Sequence, residues 1–442
     1  MRSSSSGRRW MFHGALIAAG AALIAVSVAG ATTVASPQAE ARPAPSETAN
    51  PSAVVDPLAK DITRLQAEVR RTPGNKVAWA SLALSYVQQA KVTVNPSYYP
   101  KAEEAVDRSL AIDSTDNASG LAALAALRSA QHDFKAARSA AMRGLRIAPY
   151  NATLYGALND AATQLGDYRE ARRAAVKLNE LSPGVPAFTR VSYSYELSGD
   201  IASARTALEQ ALSIADSPAD QAFVRYYLGE LEFSQGRPVD ALDHYEAGLK
   251  IDPGYYALLQ GKARAEAALG RVDDALRNYR AVVAAAPQPE YVIEFADYLQ
   301  SLGRTAEAAE QRAVFAALNE LFESNGVALD TDPTLFYADR GQADKALKYG
   351  AAGIKIRPFV EMADAYAWAL HAAGRDVEAS AWSEKALALG TRNALFHFHA
   401  GMIDASLGDE AGARSHLTRA LSINPHFNPV HAPAARAALA AL

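Results

Sequence analysis

Apolar residues along most of this 442-residue chain recur at the spacing of an amphipathic helix, interrupted by short breaks. Leu228, Leu231 and Phe233 precede a break at Gly236, and a second apolar run covers 241–249. Residues three and four positions apart share one face of a helix, so each run predicts a helix with one buried side. The pattern therefore predicts pairs of helices joined by short turns.

Three small markers repeat with this pattern. Glycines recur every 33 to 38 residues, at Gly166, Gly199, Gly236, Gly270, Gly303, Gly341, Gly374 and Gly408. An alanine stands five positions after each of them, and a proline closes many units, at Pro149, Pro183, Pro253, Pro287, Pro358 and Pro425. Glycine adopts the left-handed conformation that ends a helix, alanine lets the next helix approach closely, and proline is excluded from helix interiors. A period near 34 residues predicts an all-α solenoid.

The repeat resembles the tetratricopeptide repeat (TPR). The match is best over 76–114 and 222–253, at Trp79, Leu82, Tyr86 and Ala102 and at Leu228, Gly229, Ala241, Tyr245 and Pro253. The resemblance implies a right-handed superhelix of about ten units over 76–425, at 76–114, 118–149, 152–183, 185–218, 222–253, 256–287, 289–323, 327–358, 360–391 and 394–425. The chain as a whole is similar to exported bacterial repeat proteins of unassigned function, through segments 95–99, 289–292 and 367–370.

The ends and a few units depart from the repeat. Because the outermost units of a solenoid need solvent-facing caps, 57–75 and 426–442 are predicted to contain capping helices. His132 stands where the glycine of the second unit is expected, and Pro333 interrupts the first helix of the eighth. The preceding helix is unusually long and runs to Phe322. These features predict either a hinge or changed stacking angle near 324–334, or a locally irregular but rigid packing.

The N-terminal residues predict export. Arg2, Arg8 and Arg9 precede an apolar run over 14–28 and a small-residue cleavage site at 29–31. This is the pattern of a signal peptide, so 1–35 is predicted to be one, with an uncleaved membrane anchor as the alternative. Residues 36–56 are predicted to be a disordered Pro/Ala/Ser linker. We therefore expect a secreted or cell-envelope protein that meets a membrane only through such an anchor.

Charge and motifs give no indication of catalysis. The net charge is −4, and beyond residue 35 the 41 basic and 48 acidic residues give −7, which argues against nucleic acid as the main partner. Cysteine is absent, so thiol chemistry, disulfides and Cys–zinc sites are excluded. Gly261, Lys262 and Ala263 do not complete a phosphate loop, and His397 and His399 point in different directions on a helix. We expect no enzyme activity, no cofactor and no metal.

The resemblance implies that the first helix of each unit lines a concave groove for a protein or peptide. Its groove positions correspond here to Tyr193, Glu196, Phe223, Tyr226, Glu230, Phe233, Arg264, Asp297, Trp368, His371 and Phe398. Aromatic residues with a few charges suit an extended or helical peptide, although the same rings also suit packing between helices. The densest cluster falls in units four and five, where Glu196 and Glu230 favour a basic partner.

Two functions are compatible with these features. The first is an exported, non-catalytic TPR scaffold that binds a protein or peptide in its groove. The second is a structural or assembly subunit of a cell-envelope complex that acts through self-association. The sequence leaves the oligomeric state open. Because each unit of a solenoid contacts only its neighbours, stability is expected to be roughly additive along the array.

Overall fold

The computed structural model describes residues 57–328 and 330–442. In that part of the chain there are 22 α-helices and no strand. The helices are α1 Pro57–Arg71, α2 Lys76–Thr93, α3 Tyr98–Ile112, α4 Ala118–Ala130, α5 Phe134–Ile147, α6 Ala152–Gln164, α7 Tyr168–Leu181, α8 Val185–Leu197, α9 Ile201–Ser213, α10 Pro218–Ser234, α11 Pro238–Ile251, α12 Tyr256–Ala268, α13 Val272–Ala285, α14 Pro289–Ser301, α15 Thr305–Ser324, α16 Thr331–Ala338, α17 Ala343–Ile356, α18 Val360–Ala372, α19 Asp376–Leu387, α20 Ala394–Leu407, α21 Glu410–Ile423 and α22 His431–Ala441. The predicted signal segment and linker lie outside the described residues.

Helices α2 to α21 form ten consecutive pairs, which we number repeat 1 (α2 and α3) to repeat 10 (α20 and α21). The two helices of a pair pack on each other, and each pair packs on the next. Helix α1 packs on repeat 1, and α22 packs on repeat 10. This confirms the predicted all-helical solenoid.

Each of the ten turns inside a repeat contains one residue in the left-handed conformation, with φ between 52° and 79°. Eight of these residues are the periodic glycines, and the other two are Val94 and His132. In four repeats the next residue is an aspartate whose side chain accepts a backbone N–H bond at the start of the second helix, namely Asp133, Asp167, Asp200 and Asp409. The turn and the helix start are therefore encoded together, because one residue ends a helix and the next caps another.

The periodic alanines lie where the paired helices come closest, and none of the eight is more than 3% exposed. Repeat 5 shows the same principle with glycine. Tyr245 is fully buried, and a Cβ added to Gly229 or Gly261 would lie within 2.5 Å of its ring. A ring can occupy this position only because both neighbouring first helices lack a side chain there.

Repeats 7 and 8 contain the irregularity that the sequence predicts. Helix α15 has 20 residues, and its buried Phe315 and Phe322 belong to the same apolar core as residues of α1 to α4. Helix α16 has only 8 residues, with Pro333 in its first turn. A proline is tolerated there because backbone N–H groups in the first turn have no intrahelical acceptor.

Repeats five positions apart also touch, which the repeat pattern does not predict. The turns inside repeats 2 to 5 meet the connectors that follow repeats 7 to 10. The His132 ring lies 3.0 Å from the Ala328 carbonyl oxygen. A Cβ added to Gly166, Gly199 or Gly236 would lie 2.7, 2.4 or 2.8 Å from the carbonyl oxygens of Pro358, Gly390 and Ile423, respectively. We call this line of four contacts the seam.

Buried polar contacts stabilise the seam where repeats 2 and 3 meet the connectors after repeats 7 and 8. Arg357 binds both carboxylate oxygens of Asp330, at 2.8 and 2.9 Å, and also donates to Gln164. Burial opposes ionisation of Asp330, but Arg357 and His132 outweigh it and hold the pKa of this carboxyl well below its usual range. Both partners of the ion pair are less than 10% exposed. Loss of either partner would leave the other buried without its opposite charge in the ion pair.

Direct hydrogen bonds stabilise the seam where repeats 4 and 5 meet repeats 9 and 10 and the connectors that follow them. The Tyr193 hydroxyl donates to Glu361 at 2.8 Å, and the Thr391 hydroxyl donates to the Leu197 carbonyl at 2.6 Å. The Asn424 amide donates to the Phe233 carbonyl at 2.8 Å. The superhelix therefore returns onto itself, and its second turn covers the concave face of repeats 4 and 5.

Candidate binding lumen

Six of the eleven predicted groove residues line one cavity, which we call the aromatic chamber. It has a volume of about 340 Å³ and lies between repeats 4 and 5 on one side and repeats 9 and 10 on the other. The six are Tyr193, Glu196, Tyr226, Glu230, Phe233 and Arg264. Five of the six predicted groove residues in units four and five thus line this cavity, with one residue from unit six, whereas Phe223 does not.

Helices α10, α11 and α12 position three of these side chains, Glu230, Phe233 and Arg264, through a chain of contacts. The buried hydroxyl of Tyr245 donates to Glu230 at 2.6 Å, and Arg264 binds the same carboxylate. The Arg264 guanidinium also lies over the Phe233 ring, 4.5 Å from its centroid. A guanidinium held between a carboxylate and an aromatic face combines an ion pair with a cation–π contact.

The opposite wall of the aromatic chamber comes from the C-terminal repeats, including Glu361, Arg392, Phe396, Asn424 and Phe427. None of these residues belongs to the predicted groove set. The seam contacts beside this wall join residues 157 to 194 positions apart in the chain. The helical period carries no signal for such pairs, so sequence reasoning could not find this wall.

The other predicted groove residues lie elsewhere and contact the protein itself. Phe398 and Trp368 are buried, and neither lines the aromatic chamber. Trp368 stacks on His371 and donates its indole N–H to Asp339 at 2.7 Å. Phe223 packs edge-on against Tyr227. Asp297 binds Arg340 at 3.0 Å.

Burial favours protonation of two carboxyl groups in the aromatic chamber. It raises the pKa of Glu196 to about 7, against a single hydrogen bond from Ser192 at 3.1 Å. Burial also raises the pKa of Glu361, although Tyr193 donates to it. One oxygen of Glu361 is buried without a hydrogen-bond partner. A hydrogen-bond donor or a positive charge from a partner would favour the ionised form of these two carboxyl groups.

A second cavity, of about 670 Å³, lies between repeats 6 to 8 and the C-terminal segment that includes α22. We call it the acidic chamber. Arg264, Leu395 and Phe427 line both cavities and separate them. Asp297 is the other predicted groove residue on its wall, together with residues that the sequence does not single out, among them Glu290, Glu294 and His399.

Within residues 57–328 and 330–442, no group of three or more histidine or acidic side chains is placed to hold a metal ion. In the same residues, no helix is both long and apolar enough to cross a membrane. What the chambers offer is aromatic surface, carboxylates and unpaired polar atoms, which suits binding of a donor-rich group.

Comparison with known proteins agrees with the stacked helical pairs. Two tetratricopeptide-repeat family models match this chain, one over 185–218 and the other over 232–292. These ranges cover repeat 4 and most of repeats 5 and 6. Over these two ranges the paired helices are therefore tetratricopeptide repeats.

Among curated proteins, the chain is similar to the photosystem I assembly protein Ycf3 of Synechococcus elongatus. The two are 29% identical over 140 residues, which covers 29% of this chain and 80% of that protein. Among solved structures, a thermophilic TPR protein of Thermus thermophilus is 22% identical, with a TM-score of 0.36, over 42% of this chain and 98% of that one. The pilF protein of Pseudomonas aeruginosa is 18% identical, with a TM-score of 0.37, over 48% and 92%.

Proposed function

We propose that this protein is an exported, non-catalytic scaffold that binds a protein partner at the aromatic chamber. The superfamily supports the general role, since TPR arrays typically bind proteins and are generally non-catalytic. The similarity to an assembly protein fits the same role. The observation that carries the proposal is the cluster of Tyr193, Tyr226 and Phe233 beside three carboxylates around one cavity.

The size of the chamber limits what can enter. A helix with its side chains is about 10 Å wide or more, which a cavity of about 340 Å³ cannot contain. One or two side chains, or the end of an extended peptide, fit it better. Buried Glu196 and the unpaired oxygen of Glu361 favour a lysine or arginine from the partner.

Site-specific photo-crosslinking tests the proposal directly. Ser234 is exposed and lines the aromatic chamber, whereas Ser213 is exposed at the end of α9 and does not line it. A photoreactive phenylalanine analogue at 234 should crosslink a partner in envelope extract, and the same group at 213 should not. Glu196→Gln should weaken this adduct about tenfold, since a hydrogen bond to a charged group contributes about 1.5–3 kcal/mol. The matched exterior variant Glu209→Gln should leave it unchanged.

Two outcomes would contradict the proposal. Equal adducts from positions 213 and 234 would mean that the chamber is not the binding surface. Adducts that contain only second copies of the chain would favour the self-associating assembly subunit instead. Export is tested separately by fusing residues 1–56 to a reporter that is active only after translocation, and a silent but stably expressed fusion would count against it.

A further inference from the structure

The acidic chamber contains buried hydrogen-bond acceptors that nothing in the protein satisfies. His399 is 1% exposed, and its Nδ1 lies 2.9 Å from the Asp364 carboxylate in the neighbouring repeat. Because a carboxylate can only accept, Nδ1 carries a hydrogen, and in the neutral imidazole Nε2 then has a free lone pair. Nε2 has no partner, and it lies on the side of the ring away from Asp364. His399 lines the chamber, so a hydrogen-bond donor that reaches this buried atom from the chamber would satisfy it.

Glu290 supplies a second unsatisfied acceptor in the same chamber. Its Oε1 is buried and has no hydrogen-bond partner. Leaving a buried polar atom unpaired costs about 1–3 kcal/mol, and more when the atom is charged. An occupant that donates hydrogen bonds to Glu290 and His399 would remove that penalty.

The charge of the chamber defines the kind of donor. Five carboxylates line it, from Glu290, Glu294, Asp297, Asp332 and Asp339, against the guanidinium groups of Arg264 and Arg436. Arg340, which does not line the chamber, binds Asp297, so these five carboxylates and three guanidinium groups together carry a formal charge of −2 when all are ionised. A neutral donor would leave this excess charge unbalanced, whereas a cation would compensate it.

The shape and chemistry of the wall favour an organic cation over a metal ion. No group of three or more histidine or acidic residues in the described part of the chain is placed to coordinate a metal. The wall also carries the rings of Tyr279, Tyr298, Phe336 and Phe427. Aromatic faces attract flat organic cations. Arg264 already shows such packing at the boundary of the chamber, where its guanidinium lies over Phe233 and binds Glu230.

The chamber is accessible from outside. Its lining includes His426, Pro433 and Arg436, all of which are exposed beside α22. A small molecule can therefore enter without separation of the seam.

We propose that the acidic chamber is a binding site for a small organic cation with a guanidinium-like, N–H-rich head, held by Glu290 and by Nε2 of His399. This site is independent of the proposed partner at the aromatic chamber. It requires only the purified protein, so either proposal can fail without the other.

Calorimetric titration of the full-length protein with n-butylguanidinium tests this site. The control is n-butylurea, which has nearly the same shape and no charge. We expect saturable one-site binding of the guanidinium, at least about tenfold tighter than any binding of the urea. Glu290→Gln should weaken the guanidinium complex about tenfold, whereas the exposed Glu310→Gln on α15 should not change it. If Glu290→Gln reduces the helical circular dichroism, Glu294→Gln replaces it.

The pH dependence gives a second readout. Burial raises the pKa of Glu290 well above its usual range, and the neighbouring Asp332, Glu294 and Glu230 raise it further against the lowering effect of Arg264. A bound cation favours the ionised carboxylate, so binding should release protons and weaken as the pH falls. Glu290→Gln should reduce this proton release.

The results separate the possible sources of the cation. A capped Gly-Arg-Gly peptide that binds more tightly than n-butylguanidinium would indicate an arginine of a partner protein, and weaker binding would indicate a free small cation. Absence of saturable binding at millimolar n-butylguanidinium overturns the proposal. So does equal affinity for n-butylurea, or binding that neither glutamate variant changes.

Discussion

The periodic glycines have two different roles, although they look alike in the sequence. All eight have positive φ, as a turn that ends a helix requires. Of the eight, only Gly166, Gly199 and Gly236 also lie against a backbone carbonyl of a distant repeat. A Cβ added to any of the other five would have no other atom within 4 Å. In repeat 2 the corresponding residue is His132, which keeps the left-handed turn and uses its ring to contact the seam.

A matched pair of substitutions separates these roles. Gly199→Ala and Gly374→Ala both place a β-carbon at a positive φ, of 74° and 70°, and each should cost about 1–2 kcal/mol for that reason. In Gly199→Ala the new Cβ also lies 2.4 Å from the Gly390 carbonyl oxygen, whereas Gly374 has open space. We expect Gly199→Ala to lower the free energy of unfolding by a further ~1–3 kcal/mol in urea denaturation.

The difference between the two variants measures the close approach at the seam. Equal losses of stability would show that the seam does not constrain Gly199. A larger loss in Gly374→Ala would contradict the assignment of the seam altogether.

At the scale of helices, the irregular elements are those that contact distant parts of the chain. Helix α15 is long enough to bring Phe322 into the core shared with α1 to α4. Helix α16 is short and begins directly after Asp330, which binds Arg357 in the seam. The sequence predicts both departures through the apolar run to Phe322 and through Pro333. It does not show that they serve contacts between turns of the superhelix.

The C-terminal helix α22 caps the last repeat. Ala432 and Ala435 are buried, and Ala435 belongs to a core that includes Phe398, Leu417 and Ala420 of repeat 10. Deletion of 432–442 should expose this apolar face, lower the melting temperature and produce larger species in size-exclusion chromatography with light scattering. The exposed Arg436→Ala should leave both measurements unchanged. A deletion variant that stays at its original size and melting temperature would mean that α22 is not a cap.

At the scale of the whole molecule, the expectation that each repeat contacts only its neighbours is wrong. Hydrogen bonds connect residues 157 to 196 positions apart, as between Gln235 and Arg392 or between His132 and Ala328. We therefore expect stability not to be a simple sum over neighbouring repeats. The same contacts turn the predicted open groove into a covered lumen.

Deletion of repeat 6, residues 256–287, tests this whole-molecule property. The seam joins repeats at an offset of five. Removing one intervening repeat should therefore shift the turns inside repeats 2 to 5 out of register with the connectors that follow repeats 7 to 10. The Val360 backbone N–H donates across the seam to the Tyr168 hydroxyl at 2.9 Å and reports on this contact. Mass spectrometry should show faster hydrogen exchange in the peptide over 358–362, while circular dichroism per residue stays helical.

The Ala413 amide, which donates to Asp409 within repeat 10, serves as the control and should exchange as in the intact protein. Unchanged protection over 358–362 in the deletion variant would restore the neighbour-only description. Loss of helical circular dichroism along the whole chain would show instead that the repeats cannot fold without the seam.

The sequence by itself determined the repeated unit. Glycine at each turn, alanine at each close approach and the 3.6-residue apolar period act within about 34 residues, so each repeat displays its own local requirements. The resemblance to the tetratricopeptide repeat assigned Tyr193, Tyr226 and Phe233 to a concave groove. The resemblance could not separate a partly exposed ring that lines a cavity, such as Tyr193, from one in the core, such as Phe398.

Only the tertiary structure decided where the two turns of the superhelix meet. That position depends on small rotations between successive repeats, which accumulate along the array and are written in no single repeat. An offset of five repeats places Pro358, Gly390 and Ile423 against three of the periodic glycines and supplies the second wall of the aromatic chamber. The unpaired atoms of Glu290 and His399 become visible for the same reason, because burial and hydrogen-bond partners are defined only once distant helices have packed.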